Sequence, residues 1–394
     1  MQKRLKYGLS AVMLMTCMGL IYAWSVFVQP LEAEFGWTRA QTSLTFNICM
    51  IFFCVGNIAA GWLSEKKSVG FAIRSAAFFL LIGFAGASQT SSLLGLYILY
   101  GVFCGTGVGF GYNILFNVIS KWYSENAGLG AGILSMSFGA GGALLGSLAV
   151  SVMEHVSWRA VFLFCGIFFC ALTLALSKWI VLPKAGGHHR ESSSENDFTT
   201  KQMVKTSAFW YYFIWNMCAN GCGMVIIAHA SPCASEFGAS LAIAALAASL
   251  AALSRAAGGI LSGYIYDRFG YKICMAVVSA QLLVGVLTAI LSGFAENVPL
   301  LLVGISVIGL GFGGSTANNI AIMNDFFGKK HFGANFSILN QCVIPGSFFG
   351  ATVVGFVRTE TGSYLPSFFV PLAMVLVGIF CFWRLRPPKN IDNR

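Results

Sequence analysis

Charge is what this chain has least of. Lys, Arg, Asp and Glu make up 10% of its 394 residues, against roughly 25% in a soluble domain. So few charges cannot cover a water-facing surface, which excludes a soluble globular protein. Acids are scarcer than bases, 14 against 24, and none falls in the middle of an apolar run. The chain therefore lacks the intramembrane carboxylate that serves many carriers as a proton relay. Metal-ligand spacing is also missing. The twelve cysteines are scattered through apolar runs and read as small core-filling thiols, so neither a metal nor a cofactor is expected. His188 and His189 adjoin in a polar stretch and read as solvated. No nucleophile–base constellation stands out, and no enzyme is expected. The glycine ladder Gly105, Gly107, Gly109, Gly111 follows no strand, so it reads as close helix packing rather than a phosphate loop.

What is abundant is apolar length. Hydrophobic residues reach 57% and the mean hydropathy is +0.76. Runs of about twenty apolar residues, each long enough to cross a hydrocarbon core of about 30 Å, recur near 8–30, 42–64, 70–90, 93–120, 127–153 and 158–182. They recur again near 207–232, 240–265, 272–294, 298–326, 331–358 and 364–386. The spacing predicts an all-α membrane protein of twelve transmembrane helices. The basic, then apolar, start mimics a signal peptide, but its apolar run is longer than the ~7–15 residues of a cleaved one, and it reads as a retained first helix. Residues 183–206 form the one long polar segment, rich in Ser, Gly and charge, and read as a flexible linker. The expected domains are thus 1–182, the linker 183–206, and 207–394.

With twelve spans and a cytoplasmic start, twenty of the 24 basic residues fall on the inner side. Arg39, Arg159 and Arg358 fall outside and Arg255 lies within a span. The positive-inside rule then places both termini and the linker in the cytoplasm. The net charge of +10 is explained by that topology and calls for no nucleic acid.

The chain also repeats itself. Pro30, Glu34, Phe35 and Gly36 recur as Pro232, Glu236, Phe237 and Gly238, each 202 positions on. Gly61 and Glu65 map onto Gly263 and Asp267 at the same offset, and Gly107, Gly109, Gly111 and Asn117 onto Gly309, Gly311, Gly313 and Asn319. Both copies hold six spans, an even number, so they share an orientation. That is the parallel-repeat plan, with substrate near the midplane between two rocking halves.

Two ionisable residues stand out inside spans. Arg255 precedes Asp267 by twelve residues, which is about 18 Å along a helix, and a guanidinium at such depth costs roughly 2.5–3.5 kcal/mol to insert. A fork of donors there suits a carboxylate; a structural arginine is the competing reading. His229 precedes Glu236 by seven residues and could donate to an anion, titrate in proton coupling, or simply be packed. Asn113 and Asn117 share a helix face. With Asn318, Asn319, Asn340 and Gln341 they are candidates for substrate contact or for interhelical hydrogen bonds.

"GWLSEK" (61–66) and "GYIYDRFGYK" (263–272) resemble the signatures of the major facilitator superfamily. "GLIYAWSVF" in span 1, "GVGFGYNILFNVISKWY" in span 4 and "AFWYYFIWNMCANGCGMVIIAHASP" in span 7 look like its oxalate/formate antiporter and monocarboxylate transporter branch. The resemblance implies a major facilitator fold of two six-helix halves. It implies substrate-facing tyrosines at Tyr22 and Tyr112, and gating by Glu65, Lys66, Asp267 and Arg268. The branch's arginine in span 8 stands eight residues before the loop Asp; here that position is Gly259, and Arg255 lies one turn further out. The antiporter's second cation, in span 11, matches Val343.

One cation in place of two fits a monocarboxylate. The expected function is a secondary transporter of a small organic anion such as lactate, pyruvate or formate, by alternating access, as exchanger or proton symporter. The expected substrate-binding set is Arg255, His229, Tyr22, Tyr112, Asn113, Asn117, Asn319, Asn340 and Gln341. The partners are that anion, protons in the symport case, and the lipid bilayer of a cell membrane, with a monomer as the working unit. Two alternatives use the same fold: efflux of amphipathic compounds past Phe-rich walls, and a sensor that binds without flux.

Overall fold

The computed structural model describes residues 2–123, 125–182 and 197–388. Among them there is no strand. The helices are α1 (residues 2–35, with a 3-10 turn at Gly19–Ala23), α2 (Arg39–Lys66), α3 (Val69–Gln89), α4 (Leu93–Trp122), α5 (Ala127–Met153) and α6 (Trp158–Ser177). After a single turn at Thr200–Met203 come α7 (Ser207–Glu236), α8 and α9 (together Leu241–Phe294), α10 (Val298–Phe327), α11 (Phe332–Thr361) and α12 (Tyr364–Arg384). Among the described residues eleven helices are long and apolar enough to cross a membrane. One of them is α8 with α9, broken at Gly270, where φ is +78° and ψ 177°. Counting that break, the twelve expected spans are all present.

The repeated phrase at 30–36 and 232–238 has a physical content. Gly36 ends α1 with φ +66° and Gly238 follows α7 with φ +83°, the left-handed conformation that glycine enters without steric cost. Thr38 and Ser240, again 202 apart, then cap the next helices, accepting from the backbone N–H of Gln41 and Ile243. The glutamate between fixes the helix end. Glu34 accepts from Trp158 Nε1 at 2.5 Å and from Arg159 Nη2 at 2.9 Å, while Arg159 Nη1 also donates to the carbonyls of Ser88 and Thr90. Glu236 accepts from Arg358 Nε at 3.2 Å and from the backbone N–H of Tyr364 at 2.6 Å. Each copy thus ties the end of its first helix to the start of its sixth.

The packing corrects one register. A Cβ on Gly105 would strike Cys49 O, and one on Gly109 would strike Phe53 O. In the second copy Gly309 faces Ala251 O at 3.1 Å, and a Cβ on Gly313 would strike Arg255 O. Cys49 and Phe53 lie 202 before Ala251 and Arg255, but Gly105 and Gly109 lie 204 before Gly309 and Gly313. Gly107 on Leu80 and Gly311 on Leu282 repeat the same shift. So α2 and α3 match α8 and α9 at 202, whereas α4 matches α10 at 204. Asn117 and Asn319 are therefore not equivalent, although the sequence offset paired them.

The chain divides into two compact units. The first takes residues from 1–124, 137–192 and 331–340; the second takes 125–136, 193–330 and 341–394. The first residues of α5 thus pack with α8, and the first residues of α11 with α2 and α4. In α11 the change falls at a 3-10 turn, Asn340–Cys342.

The expected linker is only partly within the described residues, since 183–196 lies outside them. Residues 197–206 differ from a flexible linker. Phe198 is buried, with its N–H on Phe327 O at 3.0 Å, and Thr199 forms a capping box with Gln202. An apolar anchor and a capped turn hold this stretch on the second unit.

Candidate functional site

In the first unit the expected tyrosines come together through a residue the sequence reading passed over. Phe138 of α5 lies 5.0 Å from Tyr22 and 5.2 Å from Tyr112, ring centre to ring centre. Tyr22 sits in the 3-10 turn of α1, which turns its side chain out of ordinary α-helical phase. Tyr112 also meets Phe53 at 5.2 Å and stacks near Phe336 at 6.3 Å.

Beside Tyr112 on α4 is an amide node. Asn57 Oδ1 accepts from Asn113 Nδ2 and from Asn340 Nδ2, both at 3.2 Å, and Asn113 Nδ2 also donates to Gly333 O at 3.0 Å. Asn57, Asn113, Asn117 and Asn340 are all buried. Asn57 was missed, although an asparagine in the apolar run of α2 was a visible signal. Beyond the node, Glu65 pairs with His331 at 3.4 Å, and Lys66 lies 4.1 Å over the Trp62 ring. His331 is the N-cap residue of the first segment of α11.

The second unit places Asp267 at the matching helix start. Its two carboxylate oxygens accept from the N–H groups of Gly128 (3.0 Å) and Leu129 (2.9 Å), in the first turn of α5. An anion on the open N–H groups of a helix start is favoured by both hydrogen bonding and the helix dipole. Arg268 Nη1 donates to Tyr264 OH at 2.7 Å. Of the four expected gating residues, then, the two acids lie at helix starts and the two bases on neighbouring aromatic side chains.

Arg255 is half-buried in α8, with its guanidinium carbon 4.5 Å above the ring of Phe312 from α10. Phe312 is held by α7: a Cβ on Gly223 would collide with the ring. The ring covers one face of the guanidinium, worth about 0.5–2 kcal/mol by cation–π attraction; the in-plane fork of a guanidinium is the geometry that matches a carboxylate. Position 259 faces backbone of two helices. Its Cβ direction points at backbone, Gly132 O at 3.4 Å and Gly313 O at 3.6 Å, and a Cβ on Gly132 would strike Gly259 O in turn. Alanine would fit at 259 in ordinary contact with both.

His229 joins three helices. Its Nε2 meets Ala351 O at 2.9 Å, so Nε2 carries the hydrogen, and Nδ1 meets Tyr364 OH at 3.1 Å. The neutral ring satisfies both contacts. Asn319 Oδ1 accepts from Tyr212 OH at 2.7 Å, and Gln341, at the 3-10 turn of α11, is part-exposed. Asn318 Oδ1 faces Cys274 Sγ at 3.1 Å. The expected set is therefore shared out. Tyr22, Tyr112, Asn113, Asn117 and Asn340 are in the first unit; Arg255, His229, Asn319 and Gln341 are in the second. Phe138, Phe312 and Gly223 gave no sequence signal, since Phe and Gly are common throughout.

Among the described residues no cluster of three or more His, Cys, Asp or Glu could hold a metal ion. The family model described as Major Facilitator Superfamily matches residues 9–232 and 217–394. The oxalate:formate antiporter of Oxalobacter formigenes is 22% identical over 90% of this chain and 85% of its own. Monocarboxylate transporter 13 of Bos taurus is 22% identical over 92% and 87%. Among solved structures, the proton:xylose symporter XylE superposes with a TM-score of 0.73 at 13% identity, covering 98% of this chain and 97% of its own. The fucose:proton symporter of E. coli gives 0.70 at 15%, covering 97% and 100%.

Proposed function

The chain belongs to the major facilitator superfamily, and from that premise we propose that it carries a small organic monocarboxylate across a cell membrane by alternating access, with both termini cytoplasmic. It is a multi-pass membrane transporter, not an enzyme. Arg255 carries the finer reading. A guanidinium twelve residues from the end-capping Asp267, backed by the Phe312 ring, offers one bidentate site to one carboxylate. The relatives support the class of cargo: an oxalate:formate antiporter and a monocarboxylate transporter. A single intramembrane cation, with Val343 at the position of the second, favours a monoanion over a dianion.

Tyr22 and Tyr112, gathered on Phe138, and the amides Asn113, Asn117, Asn319, Asn340 and Gln341 supply the remaining polar contacts. Glu65 on His331 and Asp267 on the α5 start act as gates that must release for the cytoplasmic side to open, with Lys66 and Arg268 beside them. Transport runs as exchange or as proton symport. In symport His229 is the titrating group, and its protonation would convert Nδ1 from an acceptor of the Tyr364 hydroxyl into a donor.

The test is uptake of labelled lactate, pyruvate and formate into proteoliposomes. Arg255→Ala removes a charge-assisted hydrogen-bond pair worth about 2–3 kcal/mol, so affinity should fall about 30-fold to 140-fold. Arg255→Lys keeps the charge without the fork and should fall in between. An Arg255→Ala protein that inserts normally and keeps wild-type affinity would make the arginine structural and end the anion reading.

A further inference from the structure

A second binding surface lies on the first unit, at the Lys/Arg-rich ends of α1, α4 and α6. Lys6 Nζ stands 4.2 Å from the centre of the Trp179 ring, and Lys178 Nζ stands 5.2 Å from the same ring. The two ammonium groups are therefore at most about 9 Å apart, close to the Debye length of about 8 Å within which like charges repel. Among the described residues no ion pair joins either lysine to a carboxylate. Along the chain the acids nearest the two lysines are Glu32 and Glu191, and Glu125 follows Trp122 by three residues.

The floor beneath them is built. Trp122 Nε1 donates to Val181 O at 2.7 Å, pinning the chain that follows Trp179 to the end of α4, and Tyr7 lies against Trp122 at 4.5 Å between ring centres. Directly along α1 runs an outward apolar stripe at four-residue spacing: Leu5, Leu9 and Met13, which are 61%, 54% and 49% exposed. A polar, doubly cationic head on an aromatic shelf, continued by an apolar track along the helix, has the two-part chemistry of a phospholipid. Aromatic rings and lysines at a membrane interface suit that depth, and basic pockets between spans attract anionic head groups. The second unit lacks the feature. Trp383 is 79% exposed, and no cation lies over it or over Trp210 among the described residues.

We propose that Lys6, Lys178 and Trp179 form a site for the phosphate head group of an anionic phospholipid, with its acyl chain along Leu5, Leu9 and Met13. The stripe selects a lipid over a soluble phosphate, which would use the lysines alone.

The experiment follows the melting midpoint of the purified full chain in neutral detergent as phosphatidylglycerol, phosphatidylcholine or glycerol 3-phosphate is added. Phosphatidylglycerol should raise the midpoint by mass action, and in Lys6→Gln/Lys178→Gln the half-maximal concentration should rise about 30-fold, from losing two cations at the surface. Lys201→Gln/Lys205→Gln removes the same charge elsewhere and should match the wild type. Lys6→Arg/Lys178→Arg should retain the shift. Three outcomes overturn the proposal. In the first, both glutamine pairs weaken the lipid equally, which means diffuse attraction; in the second, the Lys6/Lys178 pair has no effect; in the third, glycerol 3-phosphate alone reproduces the shift, which means a soluble-anion site.

Discussion

Asp267→Ala is expected to loosen the first turn of α5 about tenfold. The wild-type carboxylate receives two N–H groups, from Gly128 and Leu129, at 3.0 and 2.9 Å. A hydrogen bond to a charged group contributes about 1.5–3 kcal/mol when shielded. Asp267 is exposed, so solvent screening reduces the pair to about 1.4 kcal/mol in total, which is a factor of ten in an opening equilibrium. Amide hydrogen exchange reads this directly: Gly128 and Leu129 should lose about tenfold in protection. Asp267→Asn keeps an acceptor without the charge and should lose about threefold, half of that free energy. The Phe71 amide, capped by Ser68 at 3.1 Å in the first unit, should exchange as before in both variants. If Gly128 and Leu129 exchange at wild-type rates in Asp267→Ala, the carboxylate does not hold this helix start, and its assignment as a gate fails with it.

Two further outcomes are expected. The Trp158 indole N–H, with Arg159 beside it, holds the Glu34 carboxyl below its usual 4.5. A lowered folded-state value gives stability that is present above the unfolded value and lost as pH falls through the folded one. The melting-point gap between wild type and Glu34→Gln should therefore be full at pH 6 and close in acid below about pH 4; a gap unchanged from pH 6 to pH 3 would contradict the ion-pair role. For topology, a cysteine at Ser193, with reactive native thiols replaced, should be labelled by a membrane-impermeant thiol reagent only after the cells are opened, and labelling of intact cells would reverse the orientation.

Several elements were legible because short-range rules fix them. Apolar runs must become helices in lipid, where every backbone group needs a partner within the segment. Gly36 and Gly238 stop helices, and Thr38 and Ser240 restart them, wherever the chain goes next. The repeat is visible for that reason, and with it the fold. The polar candidates were legible as candidates only: Arg255, His229 and the asparagines are conspicuous because polar groups are costly inside spans, but their partners belong to other helices. His229 shows the difference. Its sequence context allowed a packed or a titrating group, and the ring proves to be held by Ala351 O on α11 and Tyr364 on α12.

The sequence by itself determined which segments are helical, that they come as two sets of six, and that one cation lies deep in the eighth span. Only the tertiary structure decided which residues that plan brings into contact. The shift from 202 to 204 between α4 and α10 depends on which backbone each glycine touches, Gly109 on Phe53 and Gly313 on Arg255. The close approach of α8 to α5 depends on Gly132, where a Cβ would strike Gly259 O. The setting of Arg255 depends on Gly223 seating Phe312 beneath it. Helix formation is a property of neighbours along the chain, whereas close packing is a property of surfaces that meet from distant positions, and sterics at those meetings select the register and the site.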